Sequence, residues 1–165
     1  MIIFQIVTLS ELGGAQAVVA NLSNALSKEH EVIVIAGEGD GKLFDLLNKN
    51  IKHAKLKFFK RKISPINEVL TIFSFHSLYR KYKPDIIHLH SSKTGILGRL
   101  VFPKTKTVYT VHGFDSIRLV YKKYLPVEKY LQSNCKAIVA VSHYDEKNLM
   151  AEGVIKNVKC IYNGI

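Results

Sequence analysis

The sequence predicts a doubly wound, Rossmann-like α/β fold, a mostly parallel sheet of about seven strands with helices on both faces. Three observations predict it. Short Ile- and Val-rich runs recur along the chain, as strands covered on both faces require. Amphipathic stretches separate them. Glycine, hydroxyl and histidine residues collect where the runs end, which is where such a sheet binds ligands.

The strand runs are Ile2 to Leu9, Glu31 to Ala36, Asp85 to His90, Thr107 to His112, Ala137 to Ser142 and Val158 to Tyr162. A weaker seventh, Ile51 to Phe58, alternates with lysines and suits an edge. Between the first two, Ala15, Val18, Val19, Leu22, Ala25 and Leu26 form one helical stripe. Asp40 to Asn48 reads as a short helix. Pro65 suits a first-turn position, and the helix it opens runs to about Tyr82. Thr94 to Val101 is another helix, with Gly95 and Gly98 allowing close packing on the sheet. His143 to Glu152 is the last, with Ser142 as N-cap and Gly153 closing it.

The chain of 165 residues suits one domain, residues 1–165. Hydrophobic residues make up 47% and charged residues 22%, which excludes a disordered chain. Two cysteines exclude a disulfide scaffold and a cysteine-built zinc ribbon. No apolar run approaches the ~20 residues of a membrane span, and the first residues lack a signal-peptide pattern. The expectation is a soluble cytoplasmic protein. Lys plus Arg number 24 against 13 Asp plus Glu, a net charge of +11 that points to an anionic partner. No zinc-finger, RNP-like or helix-turn-helix module is present, so nucleic acid is not the expected partner.

Four strand ends carry the candidate site. The first gives Ser10-Glu11-Leu12-Gly13-Gly14 before a helix, where missing side chains let backbone N–H groups approach an anion. A tight turn would explain the same glycines. The nicotinamide fingerprint GxGxxG is missing, because Gly14 is followed by Ala15-Gln16-Ala17-Val18. The second strand end is His88-Leu89-His90-Ser91-Ser92-Lys93. His88 and His90 share one strand face, and with His112 they could ligate a metal. No Asp, Glu or Cys nearby completes the set, so His88 reads as packed, His90 as a cleft residue, and no metal is expected. The third is His112-Gly113, where an imidazole can act as a donor or base near neutral pH or be merely structural. The fourth is Val141-Ser142-His143.

The helix from Pro65 carries two apolar stripes. Ile66, Val69, Leu70 and Phe73 make one; Ile72, Phe75, Leu78, Tyr79 and Tyr82 lie on roughly the opposite side. One can face the sheet, and the other needs a different partner. Lys60, Arg61, Lys62, Arg80 and Lys81 bracket it with positive charge, as interfacial membrane binding uses. Cover by the chain itself or a second subunit is the competing reading. Arg118 to Tyr124 is a second basic and aromatic stretch.

The order of these motifs resembles the amino-terminal domain of a GT-B glycosyltransferase, of the large family 4 (group 1) of retaining enzymes. Gly13-Gly14-Ala15-Gln16 looks like that family's glycine loop, and Pro84-Asp85-Ile86-Ile87-His88-Leu89-His90 is similar to its P-D-(I/V)-(I/V)-H-x-H segment. Val108 to Gly113 matches its T-x-H-(G/D) strand end, and Ala140-Val141-Ser142 its V-S helix start. Tyr162-Asn163-Gly164-Ile165 is like the N-G-(I/V) before its interdomain hinge.

The resemblance implies transfer of a sugar from a nucleotide diphosphate sugar to a glycan or polyprenyl-linked acceptor, with retention and without cofactor or essential metal. It implies His112 as the catalytic residue against the donor sugar. Gly13, Gly14, Gln16, His90, Lys93, Gly113 and Ser142 would bind substrate, and Asn163 and Gly164 would form the hinge. A carboxy-terminal, donor-binding domain with a paired-glutamate motif would complete the cleft and is expected beyond Ile165. Without it the fragment would be inactive. The implied location is the cytoplasm, peripheral on the inner membrane face. The competing class is a non-catalytic Rossmann-like module binding a phosphorylated metabolite or a membrane surface.

Overall fold

In a computed structural model describing residues 1–163, seven strands form one parallel sheet. They are β1 (Ile2–Val7), β2 (Glu31–Ala36), β3 (Lys52–Lys55), β4 (Ile86–His90), β5 (Thr107–Val111), β6 (Ala137–Ala140) and β7 (Val158–Cys160). Their order is β3-β2-β1-β4-β5-β6-β7, so the strand order reverses between β1 and β4. All six pairings are parallel, and the lysine-rich β3 takes an edge as its alternation predicts.

Helices cover both faces. On one, α1 (Gly14–Leu26) and the single turn α2 (Lys42–Asp45) bury Val19, Ala20 and Leu43 against Val7, Val32, Val34 and Ala36. On the other, α3 (Pro65–Tyr82), α4 (Ser92–Val101) and α6 (His143–Ala151) place Phe75, Leu97 and Leu149 in the larger core. That core includes Phe4, Ile6, Ile33, Ile35, Ile87 and Leu89. The glycines of α4 permit its close approach. A Cβ on Gly95 would lie within 2.8 Å of the Tyr109 ring, and one on Gly98 within 2.5 Å of Leu89.

Two elements depart from the sequence expectation. The helix expected over residues 40–48 shrinks to one turn: Gly41, at φ 89°, sets its start, and beyond Asp45 the Asn24 side chain takes the Leu46 carbonyl and the Asn48 N–H. A further helix, α5 (Leu125–Leu131), follows a π-helical turn at Ser116–Val120 and was not anticipated. It is anchored by Glu128, whose carboxylate accepts from the Arg99 guanidinium of α4 at 2.5 Å. Both side chains are buried, and the guanidinium also lies over the Tyr109 ring. The α1 stripe is turned as well: polar Gln16 and Ser23 are buried with Val19 and Ala20, while Ala25 is exposed.

The two stripes of α3 separate as their spacing predicts. Phe75 is in the core, with Ile72, Leu78, Tyr79 and Tyr82 packed against it. Ile66, Val69 and Phe73 point to solvent, Ile66 being 72% and Phe73 66% exposed.

Candidate functional site

The reversal of strand order at β1 and β4 opens a crevice at the carboxyl ends of the strands. Side-chain hydrogen bonds tie the strand-end turns around it into one rim. The Thr8 hydroxyl lies 2.7 Å from the Ser91 hydroxyl and 3.0 Å from that of Thr94, and those two are 3.1 Å apart. Three hydroxyls, from the β1 turn, the β4 turn and the first turn of α4, thus close a triangle. Ser91 holds it from a left-handed backbone, φ 78°, which costs a non-glycine residue ~1–2 kcal/mol.

Beside the triangle runs a chain of three polar side chains. Gln5 Oε1 lies 2.7 Å from His90 Nε2, and His90 Nδ1 lies 3.0 Å from His112 Nε2. His88 Nε2 is 2.6 Å from the Thr110 hydroxyl on the neighbouring strand. Burial keeps these rings neutral. It pushes His88 down to about 4 with a further push from His112, and holds His90 well below the usual histidine range. His112 is lowered as well, by burial working against the Asp145 carboxylate.

The β5 turn is fixed from α6. Asp145 accepts the Phe114 N–H at 2.8 Å and the Ser142 hydroxyl at 2.7 Å, while Ser142 caps α6 by accepting the Asp145 N–H at 3.1 Å. Gly113 sits between at φ 82°, where a side chain would be strained, and leaves the approach to His112 open. Across the crevice, α1 starts at Gly13 without a side-chain cap and with no acidic residue in its first turn. Among the described residues its first N–H groups are unpaired by side chains, and the space above Gly14 is open.

Gly13 and Gly14 thus lie between β1 and the start of α1, and His112, Gly113 and Ser142 lie in the β5 and β6 turns that Asp145 joins. Three others are placed differently. His90 is 0% exposed, so it reaches a ligand only through His112, because Gln5, His88 and His112 surround its ring. Gln16 is folded inward, its amide donating to the Leu9 carbonyl at 3.3 Å, and braces the glycine turn. The Lys93 ammonium bonds the Lys60 and Lys62 carbonyls at 2.5 and 3.1 Å and the Glu68 carboxylate at 2.7 Å. It clamps the 60–62 loop to α3. Asn163 is exposed; Gly164 lies outside the described residues.

Gln5, Thr8 and Asp145 were missed. The signal for Gln5 was present: it is the one polar residue in the run IIFQIV, and a buried amide must find a partner. Outward from the rim, the ends of β2 and β3 border a cavity of about 380 Å³, lined by Gly37, Glu38, Gly39, Lys55, Lys57 and Lys60 among others. Elsewhere among the described residues, His143, Glu146 and Cys160 bring one ligand atom each within 4.8 Å. His143 there is already hydrogen-bonded to Glu146 at 2.9 Å. No helix of the described residues is long and apolar enough to cross a membrane.

Comparison with known proteins agrees with this geometry. Over 121 residues the chain is 36% identical to a UDP-Gal:alpha-D-GlcNAc-diphosphoundecaprenol alpha-1,3-galactosyltransferase of Escherichia coli, covering 67% of this chain and 31% of that one. It is 29% identical over 161 residues to the O-antigen biosynthesis glycosyltransferase WbnH of Escherichia coli, covering 94% and 46%. The chain thus spans less than half of the length of these relatives. Among solved structures, a glycosyltransferase from Rickettsia africae superposes with a TM-score of 0.76 at 23% identity, over 99% of this chain and 43% of that one. Anabaena Alr3699/HepE, in complex with UDP and glucose, gives 0.72 at 18% identity, over 99% and 44%. The family model described as Glycosyltransferase Family 4 matches residues 12–165, and the chain belongs to that family.

Proposed function

We propose that this chain is the acceptor-side half of a glycosyltransferase that moves a sugar from a nucleotide diphosphate sugar to a glycan or polyprenyl-linked acceptor, with retention. The observation that carries the reading is the single rim formed by the β1, β4 and β5 turns, held by Thr8–Ser91 and His90–His112, with open space at Gly14 and at Gly113. A departing diphosphate needs fixed donors where its charge develops. The uncapped first turn of α1 supplies them, and the reading requires neither cofactor nor metal. His112 is the catalytic residue, turned to the donor sugar; Gly13, Gly113 and Ser142 shape the walls. A carboxy-terminal domain beyond the Asn163–Gly164 hinge supplies the nucleotide site. The relative that acts on a diphosphoundecaprenol-linked sugar supports a lipid-linked acceptor.

The reading includes a cytoplasmic enzyme resting on the inner membrane face. Ile66, Val69 and Phe73 stand exposed on α3, with Lys60, Arg61, Lys62, Arg80 and Lys81 at its two ends.

The test is transfer by the full-length protein from UDP-sugars to a polyprenyl diphosphate-linked sugar. His112→Ala should lower kcat by about a hundredfold, the scale of one lost transition-state hydrogen bond, while residues 1–165 alone should give no turnover. Transfer by residues 1–165 alone, or full activity of His112→Ala, would overturn the reading.

A further inference from the structure

We propose that Gln5 and His90 form a relay that fixes His112 in one neutral tautomer, presenting its Nδ1 lone pair to the crevice and selecting a ligand hydroxyl there over a phosphate or carbonyl oxygen. The hydrogen bonds dictate it in sequence. Gln5 turns Oε1, an acceptor without a proton, toward His90 Nε2, so that nitrogen carries the His90 proton. A neutral imidazole has one N–H, so His90 Nδ1 is left as an acceptor. It faces His112 Nε2 at 3.0 Å, and two bare nitrogens would repel, so His112 carries its proton on Nε2. Its Nδ1 is then the bare nitrogen. Among the described residues nothing hydrogen-bonds that atom, and His112, half-buried beside the open space at Gly113, stays accessible where His90 does not.

Burial sustains the relay. Gln5 and His90 are both 0% exposed, so water does not interrupt the first bond, and protonation of His90, which would destroy the alternation, is strongly opposed. Gln5 and His90 are positioning residues; only His112 touches the ligand. A bare Nδ1 accepts from a sugar hydroxyl and repels an oxyanion. The diphosphate is thereby steered to the α1 side of the crevice, where N–H groups wait. The amide of Gln5 decides the direction. Its Nε2 has no partner, and the reversed amide would send every proton the other way, so the two arrangements give opposite tautomers at His112.

The hydroxyl selection rests on the glycosyl-transfer reading; the tautomer does not. Histidine-labelled protein, examined by long-range proton–nitrogen NMR at neutral pH, should show protonated Nε2 and bare Nδ1 at both His90 and His112. A proton on His112 Nδ1 overturns the relay. Gln5→Leu should abolish the single-tautomer signature at His112 while leaving the far-UV circular dichroism unchanged as the measure of folding. Unchanged His112 signals in that variant also overturn it. In the full-length protein, UDP-glucose should shift the His112 Nδ1 resonance and UDP alone should not. The expected tautomer with no response to UDP-glucose would support the relay and overturn the sugar-facing role of His112.

Discussion

Around the strand ends, the inner rim at β1, β4 and β5 is neutral and largely closed to water, whereas the outer rim at β2, β3 and the start of α3 is cationic and open. Inside, the Thr8, Ser91 and Thr94 hydroxyls bond one another, while His88 bonds Thr110 and His90 bonds Gln5 and His112. Outside, Lys55, Lys57, Lys60, Arg61 and Lys62 crowd a short arc. The net charge of +11 is therefore not spread into the crevice. Attraction over a distance and recognition at contact are assigned to different residues. A basic periphery raises the local concentration of any anionic partner, while in the proposed reading the uncharged centre takes a hydroxyl in preference to an oxyanion.

Acid should break the inner rim first. His88 is held at about 4 against the usual 6.5, so between those values the unfolded chain takes up a proton that the folded one refuses. Stability then falls as pH drops from about 6.5 toward 4, by roughly 3 kcal/mol from His88 alone, and His90 adds in the same direction. Urea unfolding at a series of pH values checks this; a flat profile would mean the rings are not held neutral.

The outer rim should respond to charge and not to folding. Changing Lys60, Arg61 and Lys62 to Ala keeps the backbone contacts of that loop, including Arg61 N–H to Glu38. At about 1 kcal/mol per residue near anionic lipid, vesicle binding should weaken about a hundredfold with the Tm unchanged. Undiminished co-sedimentation would remove this patch from the membrane reading.

Lys93 joins the two regions. Lys93→Met releases the 60–62 loop and strands the Glu68 carboxylate, one oxygen of which already lacks a partner. A loss of about 2 kcal/mol is expected in thermal unfolding. The smallest effect should come from Gly113→Ala, about 1 kcal/mol, because only the backbone angle objects and the space is open.

The sheet was legible because parallel strands buried on both faces are rich in Ile and Val, and those residues recur in every strand here except the edge strand β3. The long helix was equally clear, its bounds Pro65 and Tyr82 marked by Pro at the start and Lys83-Pro84 after the end. The short α5 was not. It has seven residues, too few for a periodic signal, and its anchor is a buried pair 29 residues apart in sequence. In the site, glycines and imidazoles at strand ends announced themselves by type and place. The inward turn of Gln16 and the burial of His90 did not, because each follows from which neighbour the tertiary packing brings to it.

The pairing of Thr8 with Ser91, like that of the Ile2 N–H with Asp85, joins residues 83 apart. On a ribosome adding ~5–20 residues per second, the amino-terminal strand waits roughly 4–17 s for its second neighbour. During that interval one border of an almost wholly apolar ribbon is bare. Newly made chain is then most exposed to misassembly before any ligand-binding surface exists, and a chaperone that shields the first ninety residues would act on the step that assembles the crevice.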